Sequence, residues 1–157
     1  MPKRNVNRID HVVGLVRPEN FAEAVSRMSI ALQAAFYGPY NREDLGIRVA
    51  VSWDAGVELL TPLEGEKGEP YRALLEQRGE HWMSVLFGVR EVEETKARMT
   101  GFGHSPTAEF TGLSGAEPWL ERFTRLDELA YAPSVFGGLP MMFCTIVERD
   151  GEETDAG

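Results

Sequence analysis

Short apolar runs alternate with amphipathic stretches along the chain, and the same order occurs twice. A run rich in β-branched residues at 9–16 predicts a strand, and apolar residues spaced by three and four predict a helix over 21–35. Residues 36–40 fit either a loop or an edge strand. Two more strands are predicted at 47–53 and 57–60, because a tight turn with a glycine separates them.

The second half repeats this order after a polar linker. It predicts, in turn, a short helix at 71–77, a strand at 82–89, a helix at 92–99, a strand at 108–110, a helical turn at 118–123 and strands at 126–131 and 141–147. We therefore predict an α+β fold in which two βαβββ modules form a curved, half-open mixed sheet around a central cleft. The predicted single domain divides into module one (7–63), a linker with a short helix (64–80), module two (81–148) and a flexible acidic tail (149–157).

Composition narrows the class of protein. The chain has 157 residues, 43% of them hydrophobic, which suits one domain with a sizeable core. It carries 16 basic and 25 acidic residues, for a net charge of -9. This surplus argues against nucleic acid or a membrane surface as a partner, while the predicted cleft suggests a small-molecule ligand. The single cysteine excludes an internal disulfide, and the missing signal-type or spanning apolar run predicts a cytoplasmic protein.

Two polar residues interrupt the apolar strands of module one. His11 lies in its first strand and Glu58 in its last. Each has an ordinary explanation, since His11 suits a hydrogen-bonded structural histidine and Glu58 an outward, solvated position. A carboxylate on a buried strand face is costly unless it is paired or liganded. The matching placement of the two residues at the ends of one module favours a shared site.

Several stretches resemble the vicinal-oxygen-chelate superfamily, which includes glyoxalase I, bleomycin-resistance proteins and extradiol dioxygenases. The first is Ile9-Asp10-His11-Val12-Val13, which is similar to the opening strand of that superfamily. The others lie at 46–50, 57–63, 75–80, 87–92 and 132–148, in the order and at the spacing of the methylmalonyl-CoA epimerase and glyoxalase-like branch. The resemblance covers nearly the whole chain and implies the fold that the hydrophobic pattern predicts.

The resemblance also implies a divalent metal, held by the first and last strands of each module. His11 and Glu58 carry over to two of these positions, while the other two fall on Ser84 and Thr145. Serine and threonine hydroxyls are neutral, weak ligands. We therefore expect a degraded, empty metal site and no cofactor, with a divalent metal at His11 and Glu58 as the alternative.

Strand alternation predicts which other side chains enter the cleft. Trp82 shares the phase of Ser84, and Phe143 shares that of Thr145, so these four are predicted to contact a substrate. Trp119 lies in an insertion at 111–124, which is interpreted either as a lid over the cleft or as a surface helix covering a sheet edge. Cys144 is out of phase with its neighbour and is expected to pack under the helices.

Three functions remain open from the sequence. The first is an isomerase or lyase that transfers a proton next to a carbonyl or carboxylate, with His11 and Glu58 as a catalytic acid/base pair. The second is a sequestering protein of the bleomycin-resistance type, and the third is a metal-dependent epimerase or lyase. By resemblance a homodimer is expected, and the sequence does not specify the substrate.

Overall fold

The computed structural model describes residues 3–149, which form one curled eight-stranded sheet and three helices. The elements of the first half are β1 (Ile9–Leu15), α1 (Pro18–Leu32), β2 (Tyr37–Arg42), β3 (Ile47–Ser52), β4 (Val57–Pro62) and α2 (Glu69–Arg78). Those of the second half are β5 (His81–Gly88), α3 (Val92–Gly101), β6 (Ala108–Thr111), β7 (Phe123–Ala130) and β8 (Met141–Glu148). Apart from Arg149, the predicted acidic tail lies outside the described residues.

The sheet has the order β2-β3-β4-β1-β5-β8-β7-β6. Its centre is the antiparallel pair of β1 and β5, and each of these strands runs parallel to the last strand of its own module, β4 or β8. The two halves are therefore related by an approximate two-fold arrangement. The predicted α+β fold with a curved mixed sheet is confirmed, and residues 37–40 belong to the edge strand β2.

Helix α1 begins earlier than the sequence predicts. It starts at Pro18, whose missing N–H and restricted φ suit the first turn. Asn20 in the first turn donates a side-chain hydrogen bond to Glu80 Oε1 at 2.7 Å. The helix ends before Gln33, which has a left-handed φ of 51°.

The two faces of the sheet carry separate apolar clusters. Helix α1 packs on the outer face over module one, where Phe21 meets Leu59, and α3 covers the outer face of module two, where Met99 lies near Leu129. The inner face holds the largest cluster, which includes Leu15, Trp53, Leu86, Phe123 and Ile146. Alternation thus aims every second strand residue into the concave side.

Within residues 3–149, no helix combines the length and apolar character needed to cross a bilayer.

Candidate active site in the concave face

The concave face forms a cleft with about 770 Å³ of space, including the part that is open to solvent. Most of the lining is apolar, from side chains such as Val13, Ile47, Val49, Leu60, Met83, Leu86, Phe110, Leu126 and Met142. The polar side chains of the lining are few: Arg42, Glu58, Tyr71, Ser84 and Glu128.

Three of the potential ligand groups meet at one point of this cleft. His11 is fully buried on β1, and its Nε2 lies 3.1 Å from Oε2 of Glu58 on β4. Oε1 of Glu128, on β7, lies 3.9 Å from the same nitrogen. The donor atoms of these three residues all lie within 4.8 Å of one another. His11 and Glu58 are therefore neighbours, as their places in module one predict.

The other ring nitrogen of His11 is held by a buried carboxylate. A β-bulge inserts Asp10 into β1, and its Oδ1 lies 2.8 Å from His11 Nδ1. Its second oxygen accepts hydrogen bonds from Arg4 Nε at 2.7 Å and Asn5 Nδ2 at 2.9 Å. An ionised carboxylate only accepts, so Nδ1 must donate. The imidazole is thereby oriented with Nε2 toward Glu58 and Glu128.

The charges of this cluster shift the pKa values of its members. Burial by itself lowers the pKa of His11, but the contacts with Asp10 and Glu58 outweigh it and raise that pKa to about 10. Burial, reinforced by the negative charge of Glu58, raises the pKa of Glu128 to about 7. Burial by itself raises the pKa of Asp10, but the interactions with His11 and Arg4 outweigh it and hold that pKa below its usual value. Two carboxylates facing one imidazole favour an additional cation or proton between them.

The donor set fits a divalent metal ion. His11 Nε2 is buried and has no hydrogen-bond partner among the described residues, despite its close contact with Glu58. One imidazole and two carboxylates form a nitrogen–oxygen set that Mn²⁺, Fe²⁺ or Zn²⁺ accepts. Asp10 supports the imidazole from behind, which is the usual arrangement for a metal-binding histidine. The cluster contains a third donor where the sequence indicated only two.

Sequence reasoning missed that third donor, Glu128. The positions expected on β5 and β8, Ser84 and Thr145, carry short side chains. Glu128 on β7 is the direct cross-strand partner of Cys144, the residue before Thr145. A longer side chain from the next strand therefore reaches the site. The alternation of side chains along β7 could have identified Glu128. Leu126 and Glu128 share one face of the strand, and a carboxylate on the same face as a buried leucine is unusual.

Ser84 lies where it was predicted, in the cleft. Both Ser84 and Glu58 are paired in register with Val13, so the three side chains form one row across β4, β1 and β5. Trp53, which sequence reasoning did not single out, also lines the cleft and contacts the His11 ring edge-on at a centroid distance of 5.4 Å. Neither Ser84 Oγ nor Trp53 Nε1 has a hydrogen-bond partner within residues 3–149.

The prediction that Trp82 enters the cleft is wrong. The register between β1 and β5 shifts where Val13 pairs with Ser84 and Gly14 with Trp82, so Met83 is an extra residue on β5. This bulge reverses the alternation. Trp82 consequently lies on the outer face, over Gly14, with 54% of its surface exposed.

This placement makes a fluorescence prediction. The chain has three tryptophans, and Trp53 and Trp119 are only 3% and 4% exposed. We expect Trp82→Phe to remove most of the fluorescence that acrylamide quenches, because Trp82 alone meets solvent. Trp119→Phe is the matched control and should leave the quenchable fraction in place. An unchanged quenching curve for Trp82→Phe would contradict the outer position.

The predictions for Phe143 and Thr145 are also wrong. Phe143 packs with Tyr131 and Phe136 on the outer face. The hydroxyl of Thr145 accepts a hydrogen bond from Val92 N at 3.0 Å, at the start of α3. Cys144 faces the inner side instead, because β8 pairs with β5 in the opposite phase to the one expected. Burial raises the pKa of the Cys144 thiol, so it remains protonated.

The segment between β6 and β7 contributes Gly112 and Trp119 to the lining of the cleft. Trp119 lines the cleft, donates from Nε1 to Gly112 O at 3.0 Å and packs edge-on against Trp53 and Tyr40. The segment is organised by Glu117, a carboxylate that accepts backbone hydrogen bonds from residues 114, 115 and 116.

Arg42 links the two edges of the curled sheet. It lies at the end of β2 and donates from Nη1 to the carbonyl of Thr111, at the end of β6, over 3.1 Å. Its Nε and Nη2 donate to both oxygens of Asp44 at 2.9 and 2.8 Å. Glu117 lies 3.9 Å from Nη1. Arg42 therefore connects the two edge strands of the half-open sheet. Its positive charge is already paired with the carboxylate of Asp44.

The buried carboxylate of Glu117 is expected to make the stability of the protein depend on pH. Burial by itself raises the pKa of Glu117, but hydrogen bonds from Ser114 and the backbone outweigh this effect and hold the pKa below its usual value of 4.5. Because the folded pKa is lowered, Glu117 stabilises the fold above pH 4.5, and this contribution is lost as the pH falls through the folded pKa. We expect Glu117→Gln to lower the free energy of unfolding by about 1–3 kcal/mol at neutral pH.

Urea unfolding of both proteins between pH 7 and pH 3 measures this difference. The gap between wild type and Glu117→Gln should be constant in the neutral range and close in acid. A gap that persists in acid would show that Glu117 acts by packing and not by its charge.

Comparison with known proteins gives structural matches and no sequence matches. No protein-family profile matches the chain, and no curated protein matches it in sequence. Methylmalonyl-CoA epimerase from Mycobacterium tuberculosis superposes with a TM-score of 0.68 at 18% identity, over 92% of this chain and 91% of that one. A hypothetical protein from Bacillus halodurans gives 0.69 at 19% identity, over 93% and 97%.

A variant of the Streptomyces coelicolor methylmalonyl-CoA epimerase, in complex with 2-nitronate-propionyl-CoA, gives a TM-score of 0.70 at 18% identity, over 92% of this chain and 99% of that one. The chain therefore has the vicinal-oxygen-chelate fold. Within that fold, it is similar to the methylmalonyl-CoA epimerases just described over 92% of its length. At this identity the likeness establishes the architecture, and the activity has to be argued from the site.

Proposed function

We propose that this protein is a glyoxalase-like enzyme, an isomerase or lyase, that transfers a proton on a carbon next to a carbonyl or carboxylate. The observation that carries the proposal is the meeting of His11, Glu58 and Glu128 within 4.8 Å beside an apolar cleft. Proton-transfer chemistry needs a base of suitable pKa in a site that excludes water. The structural neighbours include epimerases, whose reaction belongs to this class.

Each residue of the cluster has a proposed role. His11, Glu58 and Glu128 would hold a divalent ion, which when bound polarises a substrate oxygen as a Lewis acid. Glu128 takes the proton from the substrate carbon, because its carboxylate lines the cleft beside the cluster. Asp10 fixes the direction of the His11 ring. Glu58 lies 3.1 Å from His11 Nε2 and would complete the ligand set from β4.

Solvent deuterium exchange tests the proposal. Purified protein is incubated in D₂O with Mn²⁺, Co²⁺ or Zn²⁺, or with EDTA, and with 2-hydroxyacetophenone, mandelate or methylmalonyl-CoA. Proton NMR then measures the loss of the signal of the hydrogen on the carbon next to the carbonyl or carboxylate, as deuterium replaces it. We expect exchange of at least one compound above the protein-free rate. Absence of exchange for all three compounds under every condition would contradict the proposal.

A sequestering protein is the second candidate function. The nearly continuous apolar lining and the aromatic cover formed by Trp119 favour simple retention of a ligand. His11→Ala separates the two functions. An enzyme with this substitution loses exchange and keeps most of its ligand affinity, whereas a sequestering protein has no exchange to lose.

A further inference from the structure

The cleft offers little attraction to an anion. Arg42 is the one cationic side chain in its described lining, and both Asp44 oxygens, the Thr111 carbonyl and the nearby Glu117 already surround that guanidinium. Arg42 is also only 7% exposed. A substrate carboxylate would have to displace Asp44 to reach it.

The cluster of His11, Glu58 and Glu128 adds no positive charge either. With a divalent ion bound, the two carboxylates and a neutral imidazole bring the formal sum to zero. Without the ion, the two glutamates face a single imidazole. In both states the cleft lacks the net positive field that selects a dicarboxylate or a phosphate-bearing ligand.

Two buried donors in the same cleft have nothing to donate to within residues 3–149. Trp53 Nε1 and Ser84 Oγ lie on side chains that are 3% and 6% exposed, and both side chains line the cleft. An indole N–H can only donate a hydrogen bond. A buried donor without an acceptor is costly, and a ligand oxygen would remove that cost. The lining therefore combines apolar walls with donors for a neutral oxygen.

We propose that the cleft selects an uncharged, largely apolar carbonyl compound, and that Trp53 and Ser84 set this specificity by donating hydrogen bonds to its oxygen atoms. This inference rests on the proposed function, which places the reacting carbon of the substrate beside Glu128. It distinguishes this chain from the Streptomyces coelicolor neighbour, whose complex contains an acyl-CoA analogue.

A matched pair of probes tests the selection. 2-Hydroxyacetophenone is a neutral aromatic hydroxyketone, and mandelate has a similar size with a carboxylate in place of the ketone. Isothermal titration calorimetry of the wild-type protein, with and without Mn²⁺, gives the affinity of each probe and of methylmalonyl-CoA. We expect the ketone to bind at least tenfold more tightly than mandelate and methylmalonyl-CoA. Tighter binding of either anion, or no binding of the ketone, would overturn the proposal.

Two variants test the donors. Trp53→Phe and Ser84→Ala should each weaken binding of the ketone by roughly three- to tenfold, the effect of one hydrogen bond. Trp82→Phe on the outer face is the control and should bind as wild type. Circular dichroism checks the fold of each variant, and Ser84→Ala keeps the test valid if Trp53→Phe fails to fold. Wild-type affinity in Ser84→Ala and in a folded Trp53→Phe would contradict the assigned roles.

Failure of the proposed selectivity can be distinguished from failure of the proposed enzyme function. Calorimetry measures binding without turnover, and deuterium exchange measures proton transfer. Selective ketone binding without exchange would refute the enzyme and leave the selectivity intact. Exchange of mandelate or methylmalonyl-CoA together with their tighter binding would refute the selectivity and leave the enzyme intact.

Discussion

Glu128→Gln is expected to slow deuterium exchange by about 10²- to 10⁴-fold, the usual contribution of a positioned general base. Glutamine has nearly the same shape but cannot accept the substrate proton. The substitution also removes one of the two negative charges near His11 Nε2. We therefore expect weaker binding of Mn²⁺ by calorimetry, together with the loss of exchange at saturating metal.

Glu109→Gln provides the matched control on the neighbouring strand β6. Glu109 is half exposed and pairs with Lys96 outside the cluster, so its loss should leave exchange and metal binding unchanged. If Glu128→Gln retains full exchange while binding Mn²⁺ normally, Glu128 is neither the base nor a ligand. If metal binding falls and exchange is restored by excess Mn²⁺, Glu128 is a ligand only.

Arg4→Met is expected to lower the free energy of unfolding by about 3–5 kcal/mol, because it leaves a buried carboxylate without its charged partner. Asp10 is fully buried, and Arg4 is its cationic contact besides His11. The same guanidinium also donates to the Trp53 carbonyl and to Glu148 at 3.2 Å, so it ties the N-terminal segment to β3 and β8. Urea denaturation monitored by circular dichroism measures the change.

Arg27→Met is the control for this effect. Arg27 forms an ion pair with Glu23 on the exposed face of α1, where both side chains are more than half exposed. Exposed pairs contribute at most about 1 kcal/mol. A similar small loss for Arg4→Met would mean that Asp10 is satisfied without Arg4 and that the N-terminal segment does not secure the His11 ring.

Local errors in strand phase explain the incorrect site predictions. Alternation predicts the face of Trp82 correctly only for an uninterrupted strand, and the extra residue Met83 reverses it. The prediction for Thr145 is wrong because a shift of one residue along β8 moves a side chain to the other face. The bulges at Asp10 and Met83 directly precede His11 and Ser84, yet His11 still reaches the cluster and Ser84 still lines the cleft.

The sequence by itself determined the two-module α+β fold, because hydrophobic periodicity is a property of neighbouring residues. It also singled out His11 and Glu58, since a charged group inside an apolar strand needs a partner. Only the tertiary structure identified Glu128 and Asp10 as those partners. Glu128 lies 70 positions from Glu58 along the chain and reaches the cluster through the curl of the sheet, while Asp10 turns inward through a bulge. Contacts of this kind depend on how strands pair across the whole domain, which no local pattern encodes.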